Sequence, residues 1–402
     1  MAVGGDVGAP DAVAPPPGHR RFPLLDGMRA IAVLCIVAVH ASGPSPVSSE
    51  WLTRLITHLN FGVTIFFLLS GFLLYRPFVA HRAGGPAAAG AGTFYKRRLL
   101  RIVPAYWLCL TILLIFSDRL SLSGPNLAAQ YSLLQTMPFV GEGNCTEQLA
   151  GCPVFHTWSL AVEVTFYAAL PLYVLLAERL ARGRKMLEWV RLELVLLAAL
   201  AVASVAYGIA GEAPAPTTIM GGTFIGFFLW FALGMGLALL SVASEGRTVR
   251  WVGWIERRPA VPWLAAAALY AGLVALLPIT AFVLDRGDRL ISNVGFGLAA
   301  LLLLLPAVFG DDRGGLPRRF LANPVIAWIG LVSYGVFLWH IAVLIRINDE
   351  FTDVSYPLMF LLVLGISLAI AAASYYLVER PILRLKTGSL RRPFSKRRLT
   401  SG

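Results

Sequence analysis

Long apolar runs alternate with short polar segments along this chain of 402 residues, and they constrain its fold more than any other feature. The chain is 57% hydrophobic and only 14% charged, whereas a soluble domain carries about 25% charged residues. A helix needs about 20 apolar residues to cross a bilayer. The sequence therefore predicts an all-α fold, a polytopic bundle of about ten transmembrane helices in the cell membrane. The predicted spans are 24–43, 59–78, 101–117, 155–177, 192–210, 223–242, 261–284, 290–310, 325–345 and 356–379.

The distribution of Lys and Arg predicts the orientation of this bundle, because cytoplasmic loops carry the excess of basic residues. If the N-terminus is cytoplasmic, 28 of the 34 Lys and Arg residues fall in inner segments and 5 in outer segments. We therefore expect both termini in the cytoplasm. The net charge of +12 could suit nucleic acid, but the basic residues lie between apolar runs. That placement favours the lipid bilayer as the partner and argues against nucleic acid.

Composition divides the chain into three segments. Residues 1–20 are rich in Pro, Gly and Ala and are expected to form a disordered cytoplasmic N-terminus. Residues 21–383 form the predicted membrane domain, and residues 384–402 a basic cytoplasmic tail that anionic lipid would attract. A cleaved signal peptide that ends after the first apolar run is an alternative for the N-terminal segment.

The four cysteines fall into two classes. Cys35 and Cys109 lie within predicted spans and are expected to be packing residues. Cys145 and Cys152 lie in the long outer loop, where thiols can oxidise, so we expect a disulfide between them. A zinc site is disfavoured because no second pair of ligands lies nearby in the sequence. No metal site is predicted.

The first span, within "LDGMRAIAVLCIVAVH", carries a cation and an imidazole. Arg29 and His40 are eleven residues apart, which puts them on one helix face about 16 Å apart along the axis. Asp26 precedes Arg29 by three residues and can pair with it. Ionisable residues inside a membrane are costly and are therefore candidate site residues. The alternatives are an ion pair that anchors the helix and a hydrogen-bonded packing histidine.

A second basic group, in "KRRLLRIVPAYW", precedes the third span. Arg98 and Arg101 are three residues apart and face the same way on a helix. Guanidinium groups in this arrangement could hold phosphates. The alternative interpretation is the basic anchor that the inner boundary of most membrane proteins carries.

The fourth and ninth spans carry further polar residues. Glu163 falls near the middle of the predicted bilayer, two helical turns from His156, and must be paired, protonated or in a wet cavity. A structural ion pair is the alternative to a site role. Tyr334 and His340 interrupt an otherwise apolar ninth span. The predicted orientation puts the arginines at the inner boundary and the histidines in the outer half.

Six segments, in this order, resemble the acyltransferase-3 family of membrane O-acyltransferases. They are "LDGMRAIAVLCIVAVH", "FFLLSGFLL", "KRRLLRIVPAYW", "HTWSLAVEVTFYAALP", "SYGVFLWH" and "VERPI", and the resemblance extends over residues 22–383. Relatives often carry two adjacent glutamates in the fourth helix, whereas this chain has Val164 after Glu163. A role for a second carboxylate therefore does not carry over.

The resemblance implies transfer of an acyl group, often acetyl, from acyl-CoA to a hydroxyl of a sugar, a cell-envelope glycan or a natural product such as a macrolide. Arg29, Arg98 and Arg101 would bind the donor, and no cofactor would be held permanently. His40, whose ordinary pKa is near 6.5, would be the general base, or would itself carry the acyl group. Glu163 would orient an imidazolium or position the acceptor. Residues that could support the site or bind the acceptor are Asp26, His156, Trp158, Tyr334 and His340.

A secondary transporter or exporter of a polar solute is the alternative class of protein, since ten spans with intramembrane charges allow it. Transporters commonly show related halves with helices broken at matching positions, and no such repeat is visible in the sequence.

Overall fold

The computed structural model describes residues 22–136 (without 46, 48, 121 and 123), 152–210, 224–279, 284–310 and 314–385, and these residues form helices and no strand. The all-α prediction is confirmed. The predicted N-terminal segment, Cys145 and residues 386–402 lie outside the described residues. In chain order the helices are α1 (Leu24–Ala41), α2 (Glu50–Thr57), α3 (Phe61–Arg82), α4 (Ala91–Phe116), α5 (Gly124–Ser132), α6 (Trp158–Ala181), α7 (Met186–Ala210), α8 (Phe228–Ser244), α9 (Arg250–Arg257), α10 (Ala260–Leu276), α11 (Arg286–Val308), α12 (Gly315–Leu321), α13 (Pro324–Glu350), α14 (Tyr356–Ser374) and α15 (Arg380–Leu385).

Eight helical segments among the described residues are long and apolar enough to cross a membrane. A ninth span results if α9 and α10, which meet at an angle of 85°, are counted together. Helix α8 is apolar but has only 17 residues. Each of the ten predicted spans overlaps one of these helices. The chain is therefore a multi-pass membrane protein.

The predicted start of the third span is wrong by about ten residues, because α4 begins at Ala91 rather than at residue 101. Lys and Arg have high helix propensity and can extend their charged ends away from an apolar stem. The basic segment therefore continues the helix instead of ending it. Arg98 and Arg101 consequently lie within α4.

Helices α1, α3 and α13 form the centre of the bundle, and small residues allow their backbones to approach closely. Gly330 of α13 lies against the backbone oxygen of Asp26 in α1, at a distance that leaves no room for a side chain. Gly71 of α3 packs in the same way on the backbone of Phe231 in α8. The Gly330 contact brings α13 close to α1, and these two helices carry His340 and His40.

A buried arginine ties the ends of several helices together near residue 310. Arg318 of α12 is 1% exposed, and its guanidinium donates to the backbone oxygens of Pro306, Phe309 and Glu256 at 3.0, 2.6 and 3.1 Å. The last carbonyls of a helix have no partner within the helix. Arg318 therefore satisfies the C-terminal ends of α9 and α11.

We expect Gly330→Ala to lower the free energy of unfolding by about 1–3 kcal/mol, because an added methyl group in a close-packed contact forces the two backbones apart. Thermal unfolding of the detergent-solubilised protein would measure the change. Gly365→Ala is the matched control, since Gly365 also lies in a helix of the bundle but has open space around its Cα. Equal midpoints for the two variants would contradict the packing argument.

Candidate active site

A cavity of about 130 Å³ lies between α1, α3, α4, α6 and α13. We call it the arginine cavity, because Arg29, Arg98 and Arg101 all line it. The sequence analysis singled out these three residues on two separate helices, and the fold brings them together. The other polar residues that line it are Ser70, Ser159, Glu163, Tyr167, Ser333 and Tyr334.

The three guanidinium groups are only partly neutralised by the protein. Arg29 donates to the carboxylate of Asp26 at 2.6 Å, which confirms the predicted pairing. Arg101 lies 3.8 Å from the carboxylate of Glu379, beyond hydrogen-bonding distance. The Nε of Arg98 and the Nη1 of Arg101 are buried and have no hydrogen-bond partner among the residues that the structure describes. The arginine cavity therefore offers unused charged donors to an anion.

The carboxylate of Glu163 lies in the same cavity. It accepts a hydrogen bond from Ser70 of α3, and it interacts electrostatically with Arg98 and Tyr167. A carboxylate at this depth is stable only when it is paired, and Arg98 supplies the opposite charge. Glu163 thus lies with the arginines, and the described contacts of His40 do not include it.

Three of the candidate histidines form a second group, which we call the imidazole cluster: His40, His156 and His340. The Nδ1 of His40 lies 2.9 Å from the Nε2 of His340, and the rings of His156 and His340 are 4.8 Å apart. His156 and His340 are buried, with 2% and 0% of their surface exposed. His40 is only partly buried, so it is the most exposed imidazole of the cluster.

Phe337 separates the arginine cavity from the imidazole cluster. Its ring lines the cavity and packs edge-on against the ring of His156, with centroids 4.9 Å apart. Ser159 lines the cavity from α6. Phe337 and Ser159 are each three residues from a histidine of the cluster, which corresponds to about one helical turn. The two groups are therefore neighbouring parts of one site.

Of the remaining predicted residues, Tyr334 lines the arginine cavity, whereas Trp158 and Cys152 do not. The hydroxyl of Tyr334 donates to the backbone oxygen of Ile102 at 2.8 Å, and its ring lies 6.0 Å from the guanidinium of Arg101. Trp158 packs against Phe227 at 5.3 Å and does not line the arginine cavity. Cys152 is disulfide-bonded, whereas Cys145, its predicted partner, lies outside the described residues.

The sequence analysis missed a buried ion pair between α3 and α7. Arg82 donates to the carboxylate of Glu193 at 2.9 Å, and Glu193 is 1% exposed. Tyr75 donates to the same carboxylate, and the ring of Trp189 lies 4.9 Å from the Arg82 guanidinium. Glu193 lies at the start of the predicted span 192–210, and a carboxylate in that position indicates a buried basic partner. None of these four residues lines the arginine cavity, and the pair connects two helices.

Residues 22–376 match the model of a known family, the acyltransferase domain of the acyltransferase-3 type. The chain is also similar to the O-acetyltransferase OatA of Staphylococcus aureus strain NCTC 8325, at 25% identity over 380 residues. A putative O-acetyltransferase of Staphylococcus aureus strain COL is 24% identical over 374 residues. Each match covers 90% of this chain and 57% of the relative, so the chain spans just over half the length of these relatives. No solved structure gives a significant match.

We expect Glu163→Leu to destabilise the protein by about 3–5 kcal/mol, because it leaves the charge of Arg98 uncompensated at membrane depth. Glu163→Gln should cost less, since an amide oxygen can still accept from Ser70. Thermal unfolding in detergent would rank the two variants.

Glu350→Gln is the control for this ranking, because Glu350 is paired with Arg346 on the surface, where both side chains are at least half exposed, and such pairs contribute little. If Glu163→Leu unfolds at the same temperature as the wild type, the carboxylate of Glu163 does not compensate the positive charge of Arg98.

Proposed function

The chain belongs to the acyltransferase-3 family, and we propose that it is a membrane O-acyltransferase that transfers an acetyl group from cytoplasmic acyl-CoA to a hydroxyl group. The observation that carries this proposal is the arginine cavity with its unused guanidinium donors. The printed names of the relatives support acetyl as the group transferred. Because this chain spans only 57% of each of these relatives, its activity is inferred from the site and not taken from their names.

The arginine cavity suits the phosphates of the donor. Arginine binds phosphate through two parallel, charge-assisted hydrogen bonds. Arg98 and Arg101 each hold a buried N–H group with no acceptor among the described residues, and Arg29 lines the same cavity from α1. We assign these three residues to donor binding. The distribution of Lys and Arg along the chain predicts that the arginine cavity faces the cytoplasm.

The imidazole cluster suits the chemical step. His40 is the accessible member of the cluster, and an imidazole is the commonest general base near neutral pH. The acceptor hydroxyl gives its proton to His40 while its oxygen bonds to the thioester carbonyl carbon. The carbon–sulfur bond then breaks, and the sulfur takes the proton from His40. The products are an ester and free CoA.

The extended arm of CoA can connect the two parts of the site. The cluster begins about one helical turn beyond Phe337, so the thioester at the end of the arm would reach His40 while the phosphates stay with the arginines. Glu163 lies with the arginines in the cavity, where it accepts from Ser70. We assign it to holding the cavity arginines in place and to positioning the donor arm or the acceptor, rather than to direct contact with His40.

The acceptor is proposed as a hydroxyl of a sugar, a cell-envelope glycan or a natural product such as a macrolide. The predicted orientation puts the imidazole cluster in the outer half of the bilayer, where an exported acceptor could reach it. Asp26 supports Arg29 through its ion pair, and Tyr334 supports the position of Arg101. His156 packs against His340.

We expect His40→Ala to abolish the release of CoA from acetyl-CoA, with a loss of at least about 10²-fold in kcat for the removal of a general base. Purified protein in nanodiscs would be mixed with radiolabelled acetyl-CoA and a panel of hydroxyl acceptors. His81→Ala is the control, because His81 is exposed at the end of α3. If no acceptor gives CoA release that depends on His40, the result would contradict the proposed acyltransferase activity and favour a transporter.

We expect Arg29→Ala and Arg98→Ala each to weaken acetyl-CoA binding by about 10–100-fold, because a hydrogen bond to a charged group contributes about 1.5–3 kcal/mol. Titration calorimetry in nanodiscs would measure Kd. Lys96→Ala removes the same charge from an exposed position on α4 and should change Kd less than about 3-fold. An equal effect on the KM of the acceptor would contradict a role in donor binding.

A further inference from the structure

The hydrogen bonds of His340 determine which of its ring nitrogens carries hydrogen. Its Nδ1 lies 2.7 Å from the backbone oxygen of Phe337 and 3.2 Å from that of Val336. A carbonyl oxygen can only accept a hydrogen bond. The Nδ1 of His340 is therefore the protonated nitrogen, and the backbone of α13 holds it in that form.

The opposite nitrogen of His340 must then accept. The ring is 0% exposed, and a buried imidazole without a paired carboxylate is stable in its neutral form, which has one donor and one acceptor. Its Nε2 thus carries a lone pair, and the Nδ1 of His40 lies 2.9 Å from it. The hydrogen between the two rings belongs to the Nδ1 of His40.

We infer that His340 is a positioning residue that fixes the tautomer of His40, so that the Nε2 of His40 keeps its lone pair for the reaction. The order of groups is carbonyl of Phe337, His340, His40 and then substrate. A hydrogen-bond partner on one ring nitrogen commonly sets the state of the other. Here a second imidazole does so in a site where the described contacts of His40 include no carboxylate.

This inference rests on the proposed function for its catalytic meaning. The Nε2 of His40 would take the proton of the acceptor hydroxyl, and the resulting imidazolium would keep its Nδ1–H bond to His340. The proton then leaves from Nε2 to the thiolate of CoA. Without His340, the His40 ring loses its imidazole acceptor and keeps the backbone oxygen of Ile36 as its remaining hydrogen-bond partner. The tautomer with hydrogen on Nε2 then becomes populated, and it cannot act as the base.

Two variants of His340 separate positioning from packing. His340→Leu removes the acceptor and keeps an apolar side chain of similar reach, and we expect kcat to fall by about 10²–10⁴-fold with KM for acetyl-CoA nearly unchanged. His340→Gln keeps an oxygen that can accept from His40 and should retain at least ten times more activity than His340→Leu. Recovery in the Gln variant is not expected if His340 only fills space.

The matched control is His58→Gln. His58 is also buried, at 3% exposure, and its Nδ1 also bonds a backbone oxygen four residues earlier, that of Arg54 at 2.8 Å. It lies outside both the arginine cavity and the imidazole cluster. We expect its kcat to stay within about 3-fold of wild type. If His340→Leu does the same, the positioning role is overturned.

Nitrogen-15 NMR of histidine-labelled protein in nanodiscs reads the tautomer directly and needs neither donor nor acceptor. The His40 signals are assigned by their loss in His40→Asn. We expect hydrogen on Nδ1 and a lone pair on Nε2 in the wild type, and a mixture in His340→Leu. Hydrogen on Nε2 of His40 in the wild type would overturn the inference, whatever the activity. The expected tautomer without any CoA release would instead overturn the proposed function alone.

Discussion

An ionised side chain inside a bilayer is stable only where protein groups replace the water that it has lost, and this bundle is arranged around that requirement. The arginine cavity draws cations from α1 and α4 and a carboxylate from α6 into one enclosure. Ser70 of α3 and Glu379, beyond α14, complete the contacts. Five helices must therefore pack around one group of charges.

The same requirement explains why charges and imidazoles occupy separate parts of the site. The guanidinium groups and Glu163 compensate one another, whereas His340 satisfies its nitrogens with a backbone carbonyl and with His40. Neutral rings can share hydrogen bonds in a dry environment without a counter-ion. Phe337 lies at the boundary between the two parts. A donor with charged phosphates at one end and a thioester at the other matches this division.

The described structure also shows how closely the backbones must approach to build the site. His40 and His340 are 300 residues apart in sequence and come within 2.9 Å because α1 and α13 pack side by side through Gly330. The family match at residues 22–376 includes every residue that lines the arginine cavity. The part of the chain shared with the longer relatives thus contains the proposed site.

The helices and their local pairs follow from the amino-acid sequence, because hydropathy reports each span and residues three apart share a helix face. The ten apolar segments and the Asp26–Arg29 pair were predictable on that ground. The contacts of Ser70 with Glu163, of His40 with His340 and of Arg82 with Glu193 become visible only in the folded bundle. In lipid nearly every face of a helix is apolar, so the pattern does not show which helix lies next to which. Close packing of small residues selects the neighbours, and those contacts form only in the folded bundle.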